Sequence, residues 1–131
     1  VNVLLVSANP QVREMMSLCV RGVRRQVGKP DVQIAEASDG IAGMKLAWRD
    51  LPDVVMLDEI TSRAGAFAVA RDLKGSLPPF PGKVVILLDR PQDAWLARWS
   101  GADAWFTKPV NPFELAETVA GFLAEPEKEA V

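Results

Sequence analysis

Five short apolar runs recur at intervals of about 25 residues, at 3–6, 32–35, 54–57, 84–88 and 104–106. They are rich in β-branched residues and nearly unbroken rather than alternating. Such runs form strands covered on both faces, the condition of a parallel sheet. Between them the period becomes helical. Val12, Met15, Met16, Cys19, Val20, Val23 and Val27 recur at three- and four-residue steps, an apolar stripe on a first helix that starts at Pro10 and stops at Gly28-Lys29-Pro30. A second helix is expected from about Asp39 to Arg49, capped by Ser38 or Asp39, with Pro52 beyond its end. A third spans 64–74, a fourth starts near Pro91 and ends at Gly101, and a fifth runs from Pro112 to about Ala124. The 75–82 loop carries Pro78, Pro79 and Pro81 and is not regular structure.

Five strand–helix units in succession predict an α/β fold, a doubly wound five-stranded parallel sheet. Parallel strands need right-handed crossovers, and with helices on both faces the flavodoxin-like order 2-1-3-4-5 is favoured. The domain is expected over residues 1–124, and 125–131 is expected to be a charged, solvated tail or the start of a linker. In such a sheet a site lies at the carboxyl ends of strands 1 and 3. Ser7, Ala8, Asn9, Asp58 and Glu59 fall there by position, and Leu88, Asp89 and Lys108 face the same crevice from strands 4 and 5.

Composition narrows the chemistry. The 131 residues suit one domain, and 49% hydrophobic content supplies a core. A net charge of -2 argues against a nucleic-acid clamp, and Arg21, Arg24, Arg25 and Lys29 read as a solvated helix face. The chain has no His, which excludes His acid–base catalysis and His metal sites. The single Cys19 excludes an internal disulfide and reads as a small buried hydrophobe. No triad, P-loop or dinucleotide fingerprint appears; Gly40-Ile41-Ala42-Gly43 lacks the spacing to cradle a pyrophosphate. No apolar run is long enough to span a bilayer and no signal peptide is visible, so a cytoplasmic location is expected. The missing initiator Met points to a processed chain or an excised fragment.

The layout and four segments resemble the receiver domain of two-component response regulators. Val3-Leu4-Leu5-Val6-Ser7-Ala8-Asn9-Pro10 looks like that family's first strand and the loop carrying its acidic pair. Ala35-Glu36-Ala37-Ser38-Asp39-Gly40 looks like the second-strand exit, and Pro52-Asp53-Val54-Val55-Met56-Leu57-Asp58 like the third strand ending in the phosphoacceptor. Gly101-Ala102-Asp103-Ala104-Trp105-Phe106-Thr107-Lys108-Pro109 resembles the fifth strand with its Lys-Pro, whose peptide bond is cis in relatives. The resemblance implies a phosphorelay signalling domain rather than an enzyme, with Asp58 as phosphoacceptor, Lys108 pairing with the phosphoryl oxygens and Trp105 as switch aromatic. Mg²⁺, a hard cation that takes oxygen ligands, would neutralise charge between the two anions.

The sequence departs from that pattern at decisive points. Ser7 and Ala8 stand at the acidic-pair positions, and neither gives a carboxylate. Leu88 stands at the strand-4 hydroxyl position, and Asp89 replaces the small residue after it, with a charge that repels a phosphoryl group. Thr61-Ser62 replaces the usual Met-Pro, and the segment to Gly65 looks one residue shorter. No metal is expected, the only weak candidates being Asp58, Glu59 and Asp89.

The expectation is a pseudo-receiver that acts through protein–protein interaction, with Asp58 and Lys108 as a structural ion pair. The alternatives are a working phosphoacceptor with atypical metal use, or a small-ligand sensor using the vacated pocket. The expected partner is a histidine kinase, an effector domain or a second copy, with no nucleic acid and no membrane. Trp95 and Trp99, four residues apart, share one face of helix 4, and Trp105 lies beside it on strand 5. These three are interface candidates, since relatives use the helix 4–strand 5–helix 5 face for dimers and effectors. They could equally be core residues of a rotated helix. Trp48 is expected to pack over an adjacent loop.

Overall fold

The computed structural model describes residues 1–26, 32–61 and 63–124. In chain order the elements are β1 (Asn2–Val6), α1 (Pro10–Gln26), β2 (Gln33–Ala37), α2 (Gly40–Asp50), β3 (Val54–Asp58), α3 (Ala66–Gly75), β4 (Lys83–Leu88), α4 (Ala94–Ser100), β5 (Ala104–Thr107) and α5 (Pro112–Ala124). All strand pairs are parallel and the order is β2-β1-β3-β4-β5, as the sequence predicts. The expected helix stop at Gly28-Lys29-Pro30 and the 125–131 tail lie outside the described residues.

Alternate residues of the central strands feed two cores. Leu4, Val6, Val55, Leu57, Val84, Ile86 and Leu88 point to one face, where α2, α3 and α4 cover them with Ala47, Val69, Leu73 and Ala97. Val3, Leu5, Val54, Met56, Val85 and Leu87 point to the other, under α1 and α5 with Met16, Val20, Leu115 and Val119. Burial on both faces is why these strands read as unbroken apolar runs. Each such side chain contributes about 1.5–3 kcal/mol of transfer free energy. Gly43 lets α2 lie close on β1, since a Cβ there would sit 2.7 Å from Val6 Cγ2. Gly101 ends α4 in the left-handed region at φ 85°, a conformation glycine adopts without strain.

Three boundaries differ from the pattern. β2 occupies Gln33–Ala37 rather than 32–35. It is an edge strand whose outer positions are polar: Glu36 lies in the strand and pairs with Arg13 at 3.0 Å. Helix 3 begins at Ala66, because the Ala64 carbonyl is taken by the Thr61 hydroxyl and Gly65 acts as the cap residue. The fourth helical segment is split. Pro91–Asp93 forms a single 3-10 turn, and α4 proper starts at Ala94.

Candidate functional site

The parallel register brings the ends of β1, β3, β4 and β5 to one edge. Asp58 is the last residue of β3 and sits opposite Leu87 of β4. Ser7 follows β1 directly, and its backbone N–H donates to the Ala37 carbonyl at 3.1 Å. Lys108 follows β5, held by its own N–H to the Leu88 carbonyl at 2.8 Å, and its bond to Pro109 is cis.

Asp58 is 2% exposed and both its oxygens are occupied. Oδ1 accepts from the Lys108 ammonium, and Oδ2 accepts from the fully buried Ser7 hydroxyl at 2.7 Å. Lys108 also donates to Asp89 Oδ1 at 2.7 Å. One ammonium therefore bridges two carboxylates from different strands. Burial alone would lower the Lys108 pKa, but hydrogen bonds and charge from Asp58 and Asp89 outweigh it and hold it above its ordinary value. Ser7 is fixed from a third side, since its Oγ accepts from the Asn9 N–H at 3.0 Å and its carbonyl accepts from Arg13 Nη1 at 2.6 Å. In front of these groups lies a cleft of about 310 Å³ lined by Ala8, Asn9, Val12, Asp58, Ile60, Asp89 and Lys108. Leu88, which stands at the strand-4 hydroxyl position of the receiver pattern, is fully buried in the core under α2, α3 and α4.

A second carboxylate group adjoins the first. Glu59 Oε2 accepts from the Asp89 N–H at 3.0 Å. Glu59 Oε1 is buried and no donor reaches it. Burial, then a hydrogen bond with Asp93, push the Glu59 pKa up to about 7. The two facts agree if Glu59 carries a proton, because a carboxyl can donate to Asp93 where a carboxylate would be stranded. Arg90 pairs with Asp93 at 3.1 Å and lowers its pKa. Asp93 stands immediately before α4, so this group ties the end of β3 to the start of that helix. The sequence pattern did not single out Arg13, Arg90 or Asp93. The only trace of the latter pair is their three-residue spacing.

Among the described residues no three Asp, Glu, Cys or His side chains gather as a metal site. Asp58, Glu59 and Asp89 lie near one another, but both Asp58 oxygens and Asp89 Oδ1 are directed at Lys108 and Ser7, and Glu59 Oε2 at the Asp89 N–H.

The tryptophans divide. Trp95 and Trp99 are 62% and 52% exposed on α4. Arg71 lies 5.0 Å over the Trp99 ring and donates to the Trp99 carbonyl at 3.2 Å. Trp105 is half-buried against the core, with the Arg98 guanidinium 5.9 Å from its ring. The exposed aromatic surface therefore has two indoles rather than three. Trp48 meets Phe80 of the Pro-rich loop edge-on at 5.7 Å. Cys19 is buried between α1 and α5, which raises its thiol pKa. No helix among the described residues is long and apolar enough to cross a membrane.

No protein-family model matches the chain. Among known proteins it is 33% identical over 124 residues to an uncharacterized response regulatory protein of Mycobacterium tuberculosis, covering 95% of this chain and 92% of that one. It is 30% identical over 94 residues to protein PilH of Pseudomonas aeruginosa, covering 70% of this chain and 78% of PilH. Solved structures share the fold at lower identity. The signal receiver domain of a DNA-binding response regulator from Colwellia psychrerythraea superposes with a TM-score of 0.82 at 19% identity, over 95% of this chain and 98% of that one. The chemotaxis response regulator CheY4 of Vibrio cholerae gives 0.76 at 20%, over 92% and 97%.

Proposed function

Because the chain belongs to the response-regulator receiver domains of two-component systems, we propose that it signals through protein contacts, with its phosphorylation pocket closed by internal pairing. The observation that carries this reading is the double engagement of Asp58. A phosphoacceptor must present a carboxylate oxygen to phosphorus, with a cation to offset the repulsion between two anions. Here one oxygen is held by Lys108 and the other by Ser7. Ser7 and Ala8 give no carboxylate to a metal, and the carboxylates of Asp58 and Asp89 are already engaged by Lys108, with Ser7 on Asp58 as well. The donor set does not fit Mg²⁺.

Asp58 and Lys108 act as a structural pair. The outward surface is α4, where two exposed indoles present large apolar area with one N–H donor each. The partner is a histidine kinase, an effector domain or a second copy meeting the α4–β5–α5 face. Mg²⁺ titration followed by amide resonances around Asp58 tests the pocket. The expected result is no saturation below about a millimolar, as for a lone carboxylate. Tight saturable binding would favour the working phosphoacceptor instead.

A further inference from the structure

We propose that Asp89 is a built-in anionic ligand of Lys108, sitting on the ammonium where a phosphoryl oxygen would otherwise bind, and that it fixes the β4–α4 connection in a single state. This rests on the reading that Asp58 is not phosphorylated. It adds what occupies the vacated position and what that occupancy controls.

The geometry has three parts. An ammonium donates in three directions. Asp58 takes one and Asp89 takes a second at 2.7 Å. Asp89 is the first residue after β4, so its side chain crosses from the end of that strand to the end of β5. Its backbone N–H meanwhile donates to Glu59 at the end of β3. Asp89 therefore links three strand ends. Four residues later Asp93 stands immediately before α4, itself anchored by Arg90 and facing Glu59. The β4–α4 connection, which leads into the helix carrying Trp95 and Trp99, is thus tied at both of its ends.

Charge gives the arrangement a direction. Asp58 and Lys108 alone would be neutral, and an arriving anion could share the ammonium. With Asp89 added, two carboxylates face one cation, and the surplus negative charge opposes a further anion at short range. Asp89 holds the ligand position on Lys108 and excludes a competitor from it.

The test is nuclear magnetic resonance of the whole chain with uniform ¹⁵N labelling, comparing wild type with Asp89→Asn and Asp89→Ala. Two readouts are needed, the titration of the Lys108 ammonium and the indole N–H resonances of Trp95 and Trp99. Asp89→Asn should lower the Lys108 midpoint by about one pH unit through loss of one facing charge. Asp89→Ala should also move both indole resonances by more than a line width. An unchanged Lys108 midpoint together with unmoved indoles would overturn the proposal. If Asp89→Ala fails to fold, Asp89→Asn keeps the shape of the side chain, and its Lys108 midpoint decides alone. Wild-type protein treated with acetyl phosphate and Mg²⁺ is run in parallel. A phosphoryl adduct there contradicts the closed pocket itself, whereas no adduct with an unchanged Lys108 midpoint contradicts only the role of Asp89.

Discussion

The Ser7 hydroxyl donates to the Asp58 carboxylate at 2.7 Å with both side chains shut away from solvent. In the receiver pattern Ser7 occupies an acidic position, so a group that would repel Asp58 in the absence of metal has been replaced by one that hydrogen-bonds to it. Ser7→Ala should therefore cost about 1–3 kcal/mol, the penalty for leaving a buried acceptor unmatched. Ser7→Asp with Ala8→Asp should destabilise the metal-free protein and regain stability when Mg²⁺ is added. Urea denaturation with and without Mg²⁺ checks both.

Asp58 and Lys108 should respond asymmetrically to mutation. Lys108→Met strands a buried carboxylate with only Ser7 as partner and should cost about 3–5 kcal/mol. Asp58→Asn leaves Lys108 paired with Asp89 and partly in reach of water, so its cost should be smaller. The double variant should recover part of the larger loss. Additive single costs in chemical denaturation would mean that the two groups do not interact.

Glu59 predicts the pH dependence. Its pKa is raised from 4.5 to about 7 in the fold, by burial first and the Asp93 hydrogen bond second. Between those values the folded protein keeps a proton that the unfolded chain releases. The Glu59 contribution to stability is thus complete below about pH 4.5 and is lost as pH rises through about 7. Unfolding at fixed temperature from pH 5 to 8 should show this decline, and Glu59→Gln should flatten it. A wild-type curve that rises across the same window would contradict the assignment.

Trp95 and Trp99 should matter for association more than for folding. Both are more than half exposed, so truncation leaves no cavity. Trp95→Ala and Trp99→Ala should weaken self- or partner association by about 2 kcal/mol each. Trp99→Ala should also lose the Arg71 stacking, about 0.5–1 kcal/mol at an exposed site. Sedimentation at several concentrations beside denaturation of the monomer separates the two effects.

The sheet order was legible in the sequence because β1, β3 and β4 are covered on both faces and carry unbroken apolar runs. The sequence pattern places β2 early because Val32 is apolar and Glu36 looks like a strand exit. Exposure at the sheet edge and the tertiary pairing of Glu36 with Arg13 accommodate a charge inside that strand. Asp58 and Lys108 were singled out because a motif marks each, and the structure brings them together. In the sequence Asp89 reads as a repulsive charge and a weak metal candidate at the crevice that Lys108 also faces. Its contact with Lys108 joins the ends of two strands, and local sequence carries no signal for that distance. Arg90 and Asp93 carry only their three-residue spacing in the sequence, since they meet Glu59 only after α4 is docked.

The most direct test of the closed pocket is incubation of the intact chain with acetyl phosphate and Mg²⁺, followed by intact-mass measurement before the acyl phosphate hydrolyses. No Mg²⁺-dependent phosphoryl adduct should form on wild type, because Ser7 and Lys108 hold both Asp58 oxygens. A near-stoichiometric adduct that disappears in Asp58→Asn would contradict it and make this chain a working phosphoacceptor.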